Sequence, residues 1–338
     1  MSQPTARRRI AWGLFIVLVL AGLSYGESLY KADPGEFEIA TEATIKLAFQ
    51  DRDRPLEVRA TWPTGDGPFP IVIFSHGMGG SKDAYRPLVE HWASHGYVCL
   101  QPTHGDSIKL LTRKERRAYR SVKEFVNDPR RTGSWDERPR EIASIIDQLP
   151  AIAKKVAPLA DRMDPDRIIV AGHSFGAHTT GLVAGLKLFG PAGRGPNLAD
   201  DRPIAALIIS PQGLGRSIKP ESWAAVRGPV MMVTGTNDKS PRNGKGGAWR
   251  MTAWEHLEPG DHRYLLYIED ARHNFGGISG VRRRGAGPNN EDHVAYVRSA
   301  TTAYFDAVAR RDAEAARFLA GDAMKQAADG EAAITPKK

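Results

Sequence analysis

Residues 167–176 read Arg167-Ile168-Ile169-Val170-Ala171-Gly172-His173-Ser174-Phe175-Gly176, a β-branched run that stops at a glycine-flanked serine. The chain then continues through Ala177, Gly181, Leu182 and Ala184, a composition that suits a helix. Strand, sharp turn and helix in this order hold a serine hydroxyl above a sheet edge, in a conformation suited to a nucleophile. The flanking glycines relieve crowding where the chain reverses, and the helix N-terminus turns amide hydrogens toward developing negative charge. The same spacing recurs at Gly22-Leu23-Ser24-Tyr25-Gly26. That copy has no strand before it and no helix after it, and is a coincidence of small residues.

Outward from this turn, short apolar runs alternate with longer amphipathic stretches. Strands are expected at 44–49, 56–62, 71–75, 98–101, 168–171, 205–210, 230–234 and 264–268, and helices at 83–94, 140–155, 175–188, 247–257 and 293–310. Several of the strands are continuously apolar, which fits burial on both faces of a parallel sheet. The alternation predicts βαβ crossovers and an α/β fold, a doubly wound, mostly parallel sheet of about eight strands. Residues 35–320 read as one domain, preceded by a separate segment at 1–26 and followed by a disordered tail at 321–338.

A serine nucleophile needs a base, an acid to orient the base, and donors for the oxyanion. Val230–Thr234 runs into Asp238, and Tyr264–Ile268 leads to His273, so acid and base follow successive strands. Both fall at C-terminal strand ends, where ligands bind in open parallel sheets. Ile71-Val72-Ile73-Phe74-Ser75-His76-Gly77-Met78-Gly79 is a strand ending in a Gly-rich loop. The backbone N–H groups of Met78 and Phe175 are the expected oxyanion donors. Rival residues are weaker: Glu269 and Asp270 lie too close to His273 in the chain, His262 precedes its strand, and His293 opens the last helix as a substitute base.

These motifs, with Leu88–Gln101 and its Ala93-Ser94-His95-Gly96-Tyr97 turn, and Arg272-His273-Asn274-Phe275, resemble serine esterases of the α/β-hydrolase superfamily. The likeness is to proteins similar to platelet-activating-factor acetylhydrolase and dienelactone hydrolase, over roughly residues 40–310. It implies Ser174 as nucleophile, His273 as base, and the Met78 and Phe175 amides as oxyanion donors. Two departures stand out. The acetylhydrolases carry the acid where this chain reads Ser210-Pro211-Gln212, one strand before Asp238, and dienelactone hydrolases use cysteine in place of serine.

The remaining features bound the function. The chain has 338 residues, 47 Lys+Arg against 39 Asp+Glu, and a net charge of +8. A single cysteine, Cys99, excludes an internal disulfide and reads as a small buried hydrophobe. Arg7, Arg8 and Arg9 before the apolar run 10–23 predict a signal peptide or membrane anchor, hence a periplasmic, secreted or membrane-anchored protein. Residues 105–140 hold eleven Lys and Arg against six Asp and Glu, and read as a solvated basic flap or a lid. His91 and His95 have a zinc-compatible i, i+4 spacing, but Trp92 stands where a zinc protease motif has glutamate. No metal, cofactor or nucleic acid is expected. The reaction predicted is ester hydrolysis on a small-molecule or lipid substrate. Acyl transfer or lipid acyl hydrolysis at a membrane surface uses the same residues, and a non-catalytic membrane-anchored binding protein on this fold is the alternative from another class.

Overall fold

A computed structural model describes residues 28–50, 53–132, 135–191, 193–281 and 287–338. The N-terminal segment 1–26, with its signal-peptide or anchor reading, lies outside the described residues. Among those described, no helix is long and apolar enough to cross a membrane.

The strands of the central sheet are β1 (Ile39–Leu47), β2 (Leu56–Pro63), β3 (Phe69–Ser75), β4 (Val98–Pro102), β5 (Met163–His173), β6 (Ala205–Ile209), β7 (Val230–Asn237), β8 (Arg263–Arg272) and β9 (Ala332–Pro336). They form one sheet in the order β1-β2-β4-β3-β5-β6-β7-β8-β9. The block from β4 to β8 is parallel, whereas β1, β2 and β9 pair antiparallel. The principal helices are α1 (Arg86–Ser94), α2 (Glu137–Asp147), α3 (Phe175–Val183), α4 (Gly247–Glu255) and α5 (Glu291–Phe305).

Side chains of a strand alternate between faces, and the parallel strands feed both faces with apolar groups. Val72, Phe74, Ile169 and Ala171 pack with α1 and α5 on one side. Ile71, Ile73, Ile168 and Val170 pack with α2, α3 and α4 on the other. This is the mostly parallel α/β sheet with flanking helices that the alternation predicts. Cys99 is fully buried in β4, and burial pushes its thiol pKa up.

Two expectations are corrected. The tail at 321–338 is not disordered: a short helix, Ala323–Ala327, precedes β9, which adds to the edge of β8 through Leu266↔Ile334 and Ile268↔Ala332. An unpaired strand edge offers a row of amides and carbonyls, and a short weakly apolar segment completes it where periodicity alone carries little signal. That addition raises the strand number from about eight to nine. Nor does the fold begin at residue 35, since Tyr30 Oη and Lys31 Nζ donate to the buried Asp306 carboxylate at 2.9 and 2.7 Å.

The basic stretch is also less uniform than its composition. Its exposed part folds as short helices, Arg113–Ala118 and Val122–Asn127 among them. Asp106 and Arg138, counted with the solvated charges, are buried and paired with each other at 2.7 Å.

Candidate active site

Because β3, β5, β7 and β8 all run parallel, the loops after them open on one edge of the sheet. There the chain brings together Met78, Ser174, Asp238 and His273. Ser174 sits at φ 59°, ψ −112°, between the last residue of β5 and the first of α3. A non-glycine residue holds such a conformation only when its surroundings impose it. A Cβ on Gly176 would lie 1.9 Å from the Ser75 carbonyl oxygen, and one on Gly172 would lie 2.4 Å from the Gly176 backbone. Neither position has room for any side chain. The tight contact between turn and neighbouring strand is what presses Ser174 outward.

His273 Nε2 is 2.9 Å from Ser174 Oγ, and His273 Nδ1 is 2.7 Å from Asp238 Oδ1. With the Nδ1 proton on the carboxylate, the lone pair of Nε2 faces the hydroxyl. Asp238 is fully buried, while the imidazole keeps 22% of its surface exposed. The other carboxylate oxygen accepts from Ser210 Oγ at 2.7 Å and Thr234 Oγ1 at 3.0 Å and forms an ion pair with Arg250 at 2.9 Å, while Arg250 Nε donates to the Asp238 backbone carbonyl at 2.8 Å. Burial alone would raise the Asp238 pKa. The Arg250 guanidinium, with the bonds from His273 and Ser210, outweighs it and holds the carboxyl well below the usual range.

Asp238 therefore reaches His273 from one strand beyond the acetylhydrolase position. Ser210 at that position takes φ 61° and turns its hydroxyl onto the Asp238 carboxylate. The rivals are engaged elsewhere. Glu269 accepts from Thr236, Asp270 accepts from Asn237 at 3.0 Å, and His293 packs against Tyr296. His262 precedes β8, its carbonyl accepting from Val230 at 3.1 Å. His91 and His95 meet edge to face with ring centres 4.5 Å apart, and His95 Nε2 is 2.9 Å from the Asp33 carbonyl.

Around Met78, the Gly77 N–H donates to Tyr85 Oη at 3.2 Å and the Gly79 N–H to Asp106 Oδ2 at 2.8 Å. The Met78 and Phe175 N–H groups have no partner among the described residues. Behind the nucleophile, Tyr85 Oη donates to His173 Nδ1 at 2.8 Å, and His173 Nε2 donates to the His273 carbonyl at 2.7 Å. Burial and the neighbouring His273 lower the His173 pKa well below its ordinary value, which keeps this link neutral. One chain of hydrogen bonds thus joins the loop after β3 to the backbone of His273.

The strand order, the mostly parallel sheet and the serine–histidine–aspartate array at its C-terminal edge together point to one fold. The chain has an α/β-hydrolase fold. Residues 33–129 match the family model of platelet-activating factor acetylhydrolase, isoform II. That match takes in β1 to β4 and the Met78 loop, and stops short of Ser174. Among curated proteins, the chain is 34% identical to chlorophyllase-1 of Arabidopsis thaliana over 20% of its own length and 23% of the relative. It is 25% identical to the quorum-quenching protein AidA of Acinetobacter baumannii over 40% of its chain and 37% of the relative. It is 27% identical to the platelet-activating factor acetylhydrolase of Bos taurus over 39% of its chain and 35% of the relative. The chain spans less than two fifths of the length of each of these relatives.

Sequence reasoning missed Arg250, His173, Tyr85 and Arg138. Arg250 had a signal: it is the lone charge near the middle of the apolar stretch Gly247–Trp254. A cation in such a place is buried only with a partner. Tyr85 carried none.

Proposed function

We propose that the protein is a serine carboxylic-ester hydrolase. His273, oriented by Asp238, takes the Ser174 proton as Oγ attacks the ester carbonyl, and the Met78 and Phe175 amides receive the oxyanion. The tetrahedral adduct collapses as His273 returns the proton to the leaving alcohol, leaving Ser174 acylated. Water, deprotonated by the same imidazole, then releases the acid and restores the serine. The observation that carries this reading is the 2.9 and 2.7 Å relay from Ser174 through His273 to a buried carboxylate. Oxyanion donors of this kind contribute about 3–4 kcal/mol each to transition-state stabilisation. The names of two relatives, an acetylhydrolase and a chlorophyllase, agree with it.

The basic insert supports a lid. Leu111, Phe125 and Val126 form a small apolar cluster against which Met78 packs, so the insert rests on the oxyanion loop itself. The Arg7–Leu23 pattern supports export, and sequencing the mature N-terminus distinguishes cleavage from anchoring.

The decisive experiment measures p-nitrophenyl ester turnover across acyl lengths, with Ser174→Ala as control. The variant is expected to lose all but about one part in 10⁴ or less of the activity. Equal rates for wild type and variant would overturn the reading. A fluorophosphonate probe is expected to label Ser174 and to fail on His273→Ala.

A further inference from the structure

We infer that Arg138, held by Asp106, is the positioning residue of the oxyanion hole, one buried guanidinium bracing both chain segments that supply its amides. The inference rests on the ester-hydrolase reading of Ser174. Arg138 leaves α2 and is 2% exposed. Its Nη1 donates to the His76 carbonyl at 2.7 Å and to Ser75 Oγ at 3.3 Å, and its Cζ lies 4.4 Å from the centre of the Phe175 ring. Asp106 Oδ1 accepts from Arg138 Nε at 2.9 Å, and Asp106 Oδ2 accepts the Gly79 N–H at 2.8 Å. The loop is therefore gripped on both sides of Met78, at His76 by the arginine and at Gly79 by the aspartate that the arginine holds.

The same cluster sets the direction of the Met78 amide. That N–H shares a planar peptide with the Gly77 carbonyl and points the opposite way. The Gly77 carbonyl is itself fixed, accepting from His76 Nδ1 at 2.7 Å and from the Gly80 N–H at 2.9 Å. His76 Nε2 accepts the His104 N–H at 3.1 Å, which leaves the ring proton on Nδ1, where this bond needs it. Burial and the adjacent Arg138 hold the His76 pKa well below its ordinary value, so the ring stays neutral and the two hydrogen bonds choose its tautomer.

Beneath the loop, Ser75 Oγ is 2.8 Å from His104 Nε2, and His104 Nδ1 bonds Glu141. This repeats the serine–histidine–carboxylate order of the active site. Ser75, His104 and Glu141 are all almost fully buried, so no ester reaches Ser75 and the array serves as an anchor. Glu141 and Arg138 stand three residues apart on α2, which ties the helix to the end of β3. Because Arg138 is paired with Asp106, the pair acts by geometry more than by its field. Its effect belongs to the transition state, where the oxyanion exists, and not to substrate binding.

The test uses the full-length protein and p-nitrophenyl butyrate, comparing wild type, Arg138→Lys, Asp106→Asn, the double variant and Ser174→Ala, with circular-dichroism melting as the fold control. Lysine keeps the charge but lacks the fork that reaches Asp106, Ser75 and His76 together. Arg138→Lys and Asp106→Asn are each expected to lower kcat about 10–100-fold with KM within about two-fold, and the double variant to be no worse than the poorer single. Binding of an alkylboronic acid, whose tetrahedral adduct needs the hole, should weaken by the same factor as kcat. Either single variant melting as wild type with unchanged kcat overturns the inference, as does a loss matched by a smaller folded fraction. Ser174→Ala with wild-type turnover would instead bring down the ester-hydrolase reading, and this one with it.

Discussion

The Asp238 carboxylate accepts from three side chains and pairs with a fourth, Arg250, yet only His273 belongs to the proton path. The Arg250 guanidinium is what lets a fully buried carboxylate stay ionised, because without a cation burial would favour the neutral acid. Two consequences follow at this scale. Asp238→Asn keeps the shape but loses the charge that fixes the His273 tautomer, and is expected to lower kcat about 10⁴-fold in a stopped-flow or steady-state assay. It also leaves Arg250 buried without its anion, so a lower melting temperature should accompany the loss. The pH profile of kcat/KM is expected to carry a single acid limb. That limb belongs to His273, since protonating Nε2 removes the base while Asp238, held low, is still charged. A second inflection in the carboxylate range would contradict this assignment.

At the scale of elements, the surprise is β9. Its pairing with β8 buries Ala332 and most of Ile334, and Lys337 Nζ reaches the Trp254 carbonyl at 2.8 Å. Truncation after Gly330 is expected to lower stability by about 3 kcal/mol, from one buried isoleucine and the loss of edge hydrogen bonds. Urea unfolding measures the loss, and light scattering should detect association through the bared β8 edge. The insert makes the opposite kind of element, with charged helices outside and the Leu111–Phe125–Val126 cluster beneath. Phe125→Ala is expected to shift acyl-length preference in the p-nitrophenyl series while leaving the melting temperature within a few degrees. A uniform fall across all acyl lengths would argue that the insert does not cover the acyl site.

Over the whole molecule, several histidines are held neutral by burial. The pKa values of His76 and His173 lie well below the ordinary 6.5, with His178 lowered to about 4 and His91 to about 3. The unfolded chain binds these protons below about pH 6.5 and the folded chain does not, so acid favours unfolding. Asp106, Asp238 and Asp306, all with depressed values, add stability that is lost when pH falls through the carboxylate range. Unfolding free energy from urea titration is expected to rise with pH from about 4 and to level off near 6.5. A flat profile over that window would refute it. The sequence by itself determined the alternation of strands and helices, the elbow at Ser174 and the histidine and acid at strand ends, because those signals lie within a few neighbouring residues. Chain order placed Asp238 and His273 after successive strands, but only the packed sheet decided that Asp238 rather than Glu269 or Asp270 meets the imidazole. It likewise decided that Arg138 and Arg250 are buried supports and that the tail is a strand. Arg138 and Asp106 are 32 residues apart, Asp238 and His273 are 35, and the partners joining β9 to β8 run from Ile268↔Ala332, 64 apart, to Tyr264↔Pro336, 72 apart. Burial and pairing over such separations depend on what the fold brings alongside, which no local pattern carries.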